Sequence, residues 1–171
     1  MMSNLFVGLV NLQLVSTRHH LSLLLEETTA SDRIRNRGLL ESAAWHLRRA
    51  YDVYLCEVGA NYKLPAPQQN NTATALCEAL EKVDKHPGEA SELQKLERTG
   101  WLSDLILALR GLDSTTSGGV TETQPAPIKL GELKVVDLDN RAPELTEESV
   151  RQWLSAFKEL IERQREVMIE C

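Results

Sequence analysis

The stretch that most constrains the fold is Glu41-Ser-Ala-Ala-Trp-His-Leu-Arg-Arg-Ala-Tyr-Asp-Val-Tyr-Leu-Cys-Glu-Val58. Leu40, Ala44, Leu47, Tyr51, Tyr54 and Val58 recur at alternating steps of four and three residues, the spacing of one helix face. Trp45, Val53, Leu55 and Cys56 fall off that face, which predicts a helix apolar nearly all round. A helix with no wet side is a central helix, packed by neighbours on several flanks. Pro65 and Pro67 bound it beyond Leu64.

The rest of the chain must supply those neighbours. Ser3 or Asn4 can cap a first helix running to about Thr28, with Leu5, Leu9, Leu12, Ser16, His19 and Leu23 at helix spacing. The apolar run Leu5–Val15 is too short to span a bilayer and lacks a preceding Lys or Arg and a following cleavage site, so it reads as a buried helix start. Thr28-Thr-Ala-Ser-Asp32 is the cap-rich turn into the central helix, which runs from around Asp32 to Asn61. A shorter helix starts at Thr72, turns Ala73, Leu76, Leu80 and Val83 inward, and ends at His86-Pro-Gly88. Ser91-Glu-Leu-Gln94 fits a capping box for the next helix, which kinks or restarts at Thr99-Gly100 and continues to Leu112. Thr146-Glu-Glu148 opens a last helix whose inner face is Val150, Trp153, Phe157, Leu160, Ile161 and Val167.

Residues 113–145 differ in character. Ser114-Thr-Thr-Ser-Gly-Gly119 offers little to bury, and Pro125 and Pro127 stiffen the chain just after it. Ile128-Lys-Leu130 and Leu133-Lys-Val-Val136 look extended, as a small hairpin or as chain lying along the bundle. The expected architecture is all-α: a single domain over residues 1–171, a five-helix up-and-down bundle with 113–145 as a flexible or wrapping linker.

Composition narrows the function classes. At 171 residues the chain buries enough surface to fold without disulfides or metal. A net charge of −6 removes the whole-protein positive field that nonspecific binding to nucleic acid or an anionic membrane needs. Cys56, Cys77 and Cys171 form no Cys-x-x-Cys pair, the reduced pattern expected of a cytoplasmic protein.

Most chemistry-bearing motifs are absent from the sequence. There is no Glu-x-x-His for a di-metal carboxylate bundle, no closely spaced Cys/His set, no phosphate-cradling Gly loop with Lys, and no Gly-x-Ser-x-Gly elbow. No catalytic residue, cofactor or metal is therefore expected. His19 and His20 point about 100° apart on a helix, so they do not readily share one ion. His46 is the most chemically suggestive single residue, a base or ligand beside Tyr51, Tyr54 or Glu41, or else a half-buried structural histidine. Arg33, Arg35, Arg37, Arg48 and Arg49 place five of 19 basic residues within 17 positions. They form either a phosphate grip or a solvated turn with Arg37–Glu41 and Arg48–Asp52 pairs. Trp45, Tyr51, Tyr54, Tyr62, Trp153 and Phe157 keep helix spacing and read as core.

Glu41-x4-His46-Leu-x-Arg49-Ala50, Cys56-Glu57-Val58-x3-Tyr62-x-Leu64-Pro65, Ser91-Glu-Leu-x2-Leu96 and Trp101-Leu102-x2-Leu105 resemble a family of short gammaproteobacterial proteins known only as a domain of unknown function. The resemblance covers roughly residues 35–110, implies an all-α cytoplasmic protein and transfers no site. The arrangement also looks distantly like the HEPN helical domains, which pair with nucleotidyltransferases or act as ribonucleases. Their ribonuclease motif is Arg, four to six residues, then His; Arg37 to His46 is too long for it and Arg18 to His19 too short.

The sequence thus points to a noncatalytic helical bundle that binds a protein partner or a second copy of itself. The alternative is a nucleotide- or RNA-phosphate-binding bundle using the arginines above, and a third is an enzyme built on His46. No membrane role is expected.

Overall fold

The computed structural model describes residues 2–117 and 143–169. Among them are six α-helices, one 3-10 turn and no strand: α1 Met2–Ser22, α2 Ala30–Asn61, the 3-10 turn Pro67–Gln69, α3 Ala73–Glu81, α4 Gly88–Arg98, α5 Trp101–Ser117 and α6 Glu147–Ile169. The all-α expectation holds with one more helix than the five anticipated, because Gly100 (φ +105°) breaks the chain between α4 and α5. That left-handed conformation suits glycine, which has no Cβ to clash.

α2 is the spine, about 48 Å long for its 32 residues. Thr29 caps it: its hydroxyl accepts from the Asp32 N–H (3.1 Å), and the Asp32 carboxylate accepts from the Thr29 N–H (2.9 Å). α1 folds back antiparallel along it, and α3, α5 and α6 pack on its remaining flanks. Ala43, Ala44, Leu47, Ala50, Tyr51, Tyr54, Leu55 and Val58 are fully buried. Gly59 lets the 3-10 turn approach, since a Cβ there would meet the Pro67 Cβ at 3.1 Å.

α2 is not dry all round. Ile34 is 76% exposed and Trp45 46%, so the expectation that Trp45 is core is overturned. The neighbouring helices cover only part of the circumference, and Trp45 lies on the uncovered arc.

A larger reversal concerns α1, which ends at Ser22 rather than near Thr28. The stripe expected to be buried faces outward: Leu5 is 60% exposed, Leu9 37%, Leu12 55% and the adjoining Val15 61%. The opposite side, with Val10, Thr17 and Leu21, is buried. Asn36 ties the turn that follows α1 to α2. Its side chain accepts from the Leu25 N–H (3.1 Å) and donates to the Leu25 carbonyl (2.8 Å), pinning the α1–α2 turn.

Smaller corrections have local causes. α4 begins at Gly88, with Pro87 as N-cap, so Ser91 lies inside the helix and bonds back to the Pro87 carbonyl instead of forming a capping box. α3 stops at Glu81, which leaves Val83 exposed beyond its end. On α6, Gln164 is buried while Val167 is exposed. α5 continues to Ser117, into the stretch expected to be linker. The extended segments expected at 128–130 and 133–136 lie outside the described residues.

Candidate functional site

Every residue singled out from sequence as a possible binding group sits on α2, and helix geometry separates them. At about 100° per residue, Arg33, Arg37 and Arg48 fall within about 60° of one another, but Arg35 and Arg49 lie about 160–200° round from Arg33. About 16 Å of axial rise divides Arg37 from Arg48. Arg37 is paired with Glu41 (2.6 Å) and Arg48 with Asp52 (2.9 Å), as i,i+4 ion pairs. The Arg48 guanidinium also lies over the Tyr51 ring, 5.5 Å from its centroid. Arg33, Arg35 and Arg49 are exposed. The five arginines are thus not brought together into one phosphate grip.

His46 is half-buried, and its Nδ1–H donates to the Gln13 side-chain oxygen on α1 (2.7 Å). Its ring lies 5.0 Å, centroid to centroid, from His20 of α1, tilted by 32°. Burial, aided by His20, holds His46 below the ordinary histidine value. Tyr51, Tyr54 and Glu41 are not its hydrogen-bond partners: Tyr51 donates to Glu97 (2.7 Å), Tyr54 to Gln164 (2.9 Å), and Glu41 takes Arg37. Burial pushes both tyrosines above the ordinary phenol range, so each is a hydrogen-bond donor and not an acid. It likewise pushes up the Cys56 and Cys77 thiols, which are poor candidates for a nucleophile. No group of three or more His, Cys, Asp or Glu suited to a metal occurs among the described residues.

Sequence reasoning missed the polar seam along α6. Glu57, fully buried on α2, receives both arms of Arg165 at 2.7 and 2.8 Å, and Arg165 also reaches Asn11 of α1 (3.3 Å). Gln164 donates to Glu92 (2.8 Å), whose other oxygen takes Arg163 (2.6 Å). No buried side-chain nitrogen or oxygen among the described residues lacks a partner. A seam so fully self-satisfied holds the helices together and leaves no group free for a ligand.

Two surface hollows sit away from His20 and His46. One of about 440 Å³ is lined by Asn61, Tyr62, Lys63, Lys85, His86, Pro87 and Met168; here Lys85 donates to the Tyr62 carbonyl (2.8 Å), capping the end of α2. The other, about 280 Å³, runs between α2 and α5 beside Trp45, Arg48 and Arg110. Neither is lined by His46. Among the described residues, the outer stripe of α1 keeps Leu5, Leu9, Leu12 and Val15 exposed on one side of one helix.

No helix among the described residues is long and apolar enough to cross a membrane. A family model described as "Family of unknown function (DUF6586)" matches residues 19–171, and the chain belongs to that family. The match begins at His19, so most of α1 lies ahead of it. No curated protein and no solved structure matches the chain.

Proposed function

We propose that this member of the family is a noncatalytic interaction module that associates with a second copy of itself through the outer face of α1. The observation that carries the reading is the exposure of Leu5, Leu9, Leu12 and Val15, all on one side of one helix. Contiguous exposed apolar surface is a mark of an interface. Leu5, Leu9, Leu12, Ser16 and His19 keep the four–three spacing with which paired helices interlock.

A second copy is the occupant that charge favours. None of residues 1–17 carries a charged side chain, so two α1 helices can meet face to face although each chain carries a net charge of −6. A two-fold pairing also makes the patch its own complement. The phosphate-binding alternative has less support, since Arg37 and Arg48 are engaged with carboxylates, and Arg35 and Arg49 lie on the far side of the helix from Arg33. The HEPN likeness adds no catalytic group to it.

Light scattering across a dilution series tests the proposal. The wild-type chain should be dimeric at tens of micromolar, and Leu12→Glu plus Val15→Glu should be monomeric with unchanged helical circular dichroism. A wild-type chain that stays monomeric throughout overturns self-association.

A further inference from the structure

We propose that His20 and His46 form a two-imidazole site for a divalent late transition metal of the zinc, nickel or copper class, clipping α1 to α2. The two residues are 26 positions apart in sequence and meet because the helices run antiparallel. Their ring centroids are 5.0 Å apart with the planes tilted by 32°.

The hydrogen bonds set the tautomers. His20 Nδ1 faces the Ser16 carbonyl at 2.8 Å, and His46 Nδ1 faces the Gln13 side-chain oxygen at 2.7 Å. Both partners are acceptors only, so each Nδ1 carries the proton and donates it. In the neutral rings the lone pair is then on Nε2 in both residues, the form in which imidazole binds a metal. A ligating histidine characteristically donates its other ring N–H to an oxygen in this way, which fixes ring orientation.

The spacing fits. A zinc–nitrogen bond of about 2.0–2.1 Å puts each ring centroid about 3.1 Å from the metal, and a near-tetrahedral angle then separates two centroids by about 5 Å. The scaffold is rigid where this counts. The Asn36–Leu25 hydrogen bonds pin the turn that sets the register of the two helices, and Thr17 and Leu21 are buried on either side of His20 in sequence.

Two imidazoles leave the remaining coordination positions to water or to a group brought by a docked molecule. His19, on the outer stripe of α1, has its ring centroid 6.1 Å from that of His20. Imidazole favours zinc, nickel and copper over the hard cations magnesium and calcium, which defines the selectivity.

The test is titration of the untagged, chelator-stripped full chain with Ni(II) or Zn(II), by calorimetry and by the thermal unfolding midpoint. Binding of one ion per chain at micromolar concentration, with a raised midpoint, is expected; magnesium should do neither. His20→Gln and His46→Gln should each weaken binding by about tenfold or more while His86→Gln does not. Should either variant unfold, broadening of the His20 and His46 ring resonances by Cu(II) in the wild-type chain gives the same answer. Nickel affinity that is absent in the wild type, or unchanged in both variants, overturns the site, as does copper broadening confined to other histidines. The ligands come from one chain, so a monomeric protein that binds nickel refutes self-association and leaves the metal site standing.

Discussion

Along the outer face of α1, Leu5, Leu12 and Val15 each keep more than half their surface in water, while on α2 the carboxylate-bearing Glu57 has none. The two regions reverse the usual partition of residue types. On α1 the reversal is possible because, among the described residues, the helix is packed along one side only, and its other side is as apolar as the first. At Glu57 it is possible because Arg165 comes from another helix with both nitrogens aligned on the carboxylate. Burying a charge without such a partner is strongly unfavourable. The contrast teaches that neighbours, more than residue class, decide which face goes inside. An apolar face without a neighbour invites one, and a charge with a good neighbour can be dry.

Breaking the dry side should give the largest effect. Arg165→Met leaves Glu57 buried and unpaired and should cost about 3–5 kcal/mol in urea denaturation. Glu57→Leu added to it should recover most of that loss, since a charge pair replaced by apolar groups is close to neutral. A loss below about 1 kcal/mol for Arg165→Met would instead equate the pair with an ordinary surface bridge. On the wet side, Trp45→Ala should cost under about 1 kcal/mol, because nearly half of this tryptophan is already in water. A cost near that of a core aromatic, about 3–5 kcal/mol, would mean that Trp45 is covered in solution.

The smallest effect is expected at the boundary between the two regimes, where His46 is half-buried. Its folded value lies below the 6.5 of the free side chain, because of burial first and His20 second. The unfolded chain therefore takes up this proton first as pH falls. Stability should be full above about pH 7 and should decline as pH falls below the free-histidine value, as the unfolded state binds more protons. His46→Gln should flatten that decline in thermal unfolding across the same range. An equal decline in the variant would place the acid sensitivity elsewhere. Asp32 and Glu92, whose carboxyls are held low chiefly by hydrogen bonds from Thr29 and Arg163, act only in the more acidic carboxylate range.

The helical pattern is legible where one face alone is apolar. α6 follows its spacing through Ile161, and the alternating steps of α2 mark much of its buried side. α1 misleads because Leu5, Leu9 and Leu12 satisfy the same periodicity as Val10, Leu14 and Leu21. Hydrophobicity cannot choose between two apolar faces. Asn36, which ties the α1–α2 turn, is itself hidden within a run of arginines whose charge is the more conspicuous feature. The Arg37–Glu41 and Arg48–Asp52 pairs are legible because they are local. The His20–His46 contact is not, since it depends on the register of one helix against another. Glu57 does carry a signal: a carboxylate between Leu55 and Val58 on a buried face implies a distant cation, and two arginines near the end of α6 can supply it.

The Asn36 clamp has a mechanical consequence. Sliding α1 along α2 by one helical turn, about 5.4 Å, would break both bonds to Leu25 at once. Intermediate positions place side-chain ridges on ridges, so the hairpin has no gentle path between registers. α1 is therefore a stiff spar and not a flap.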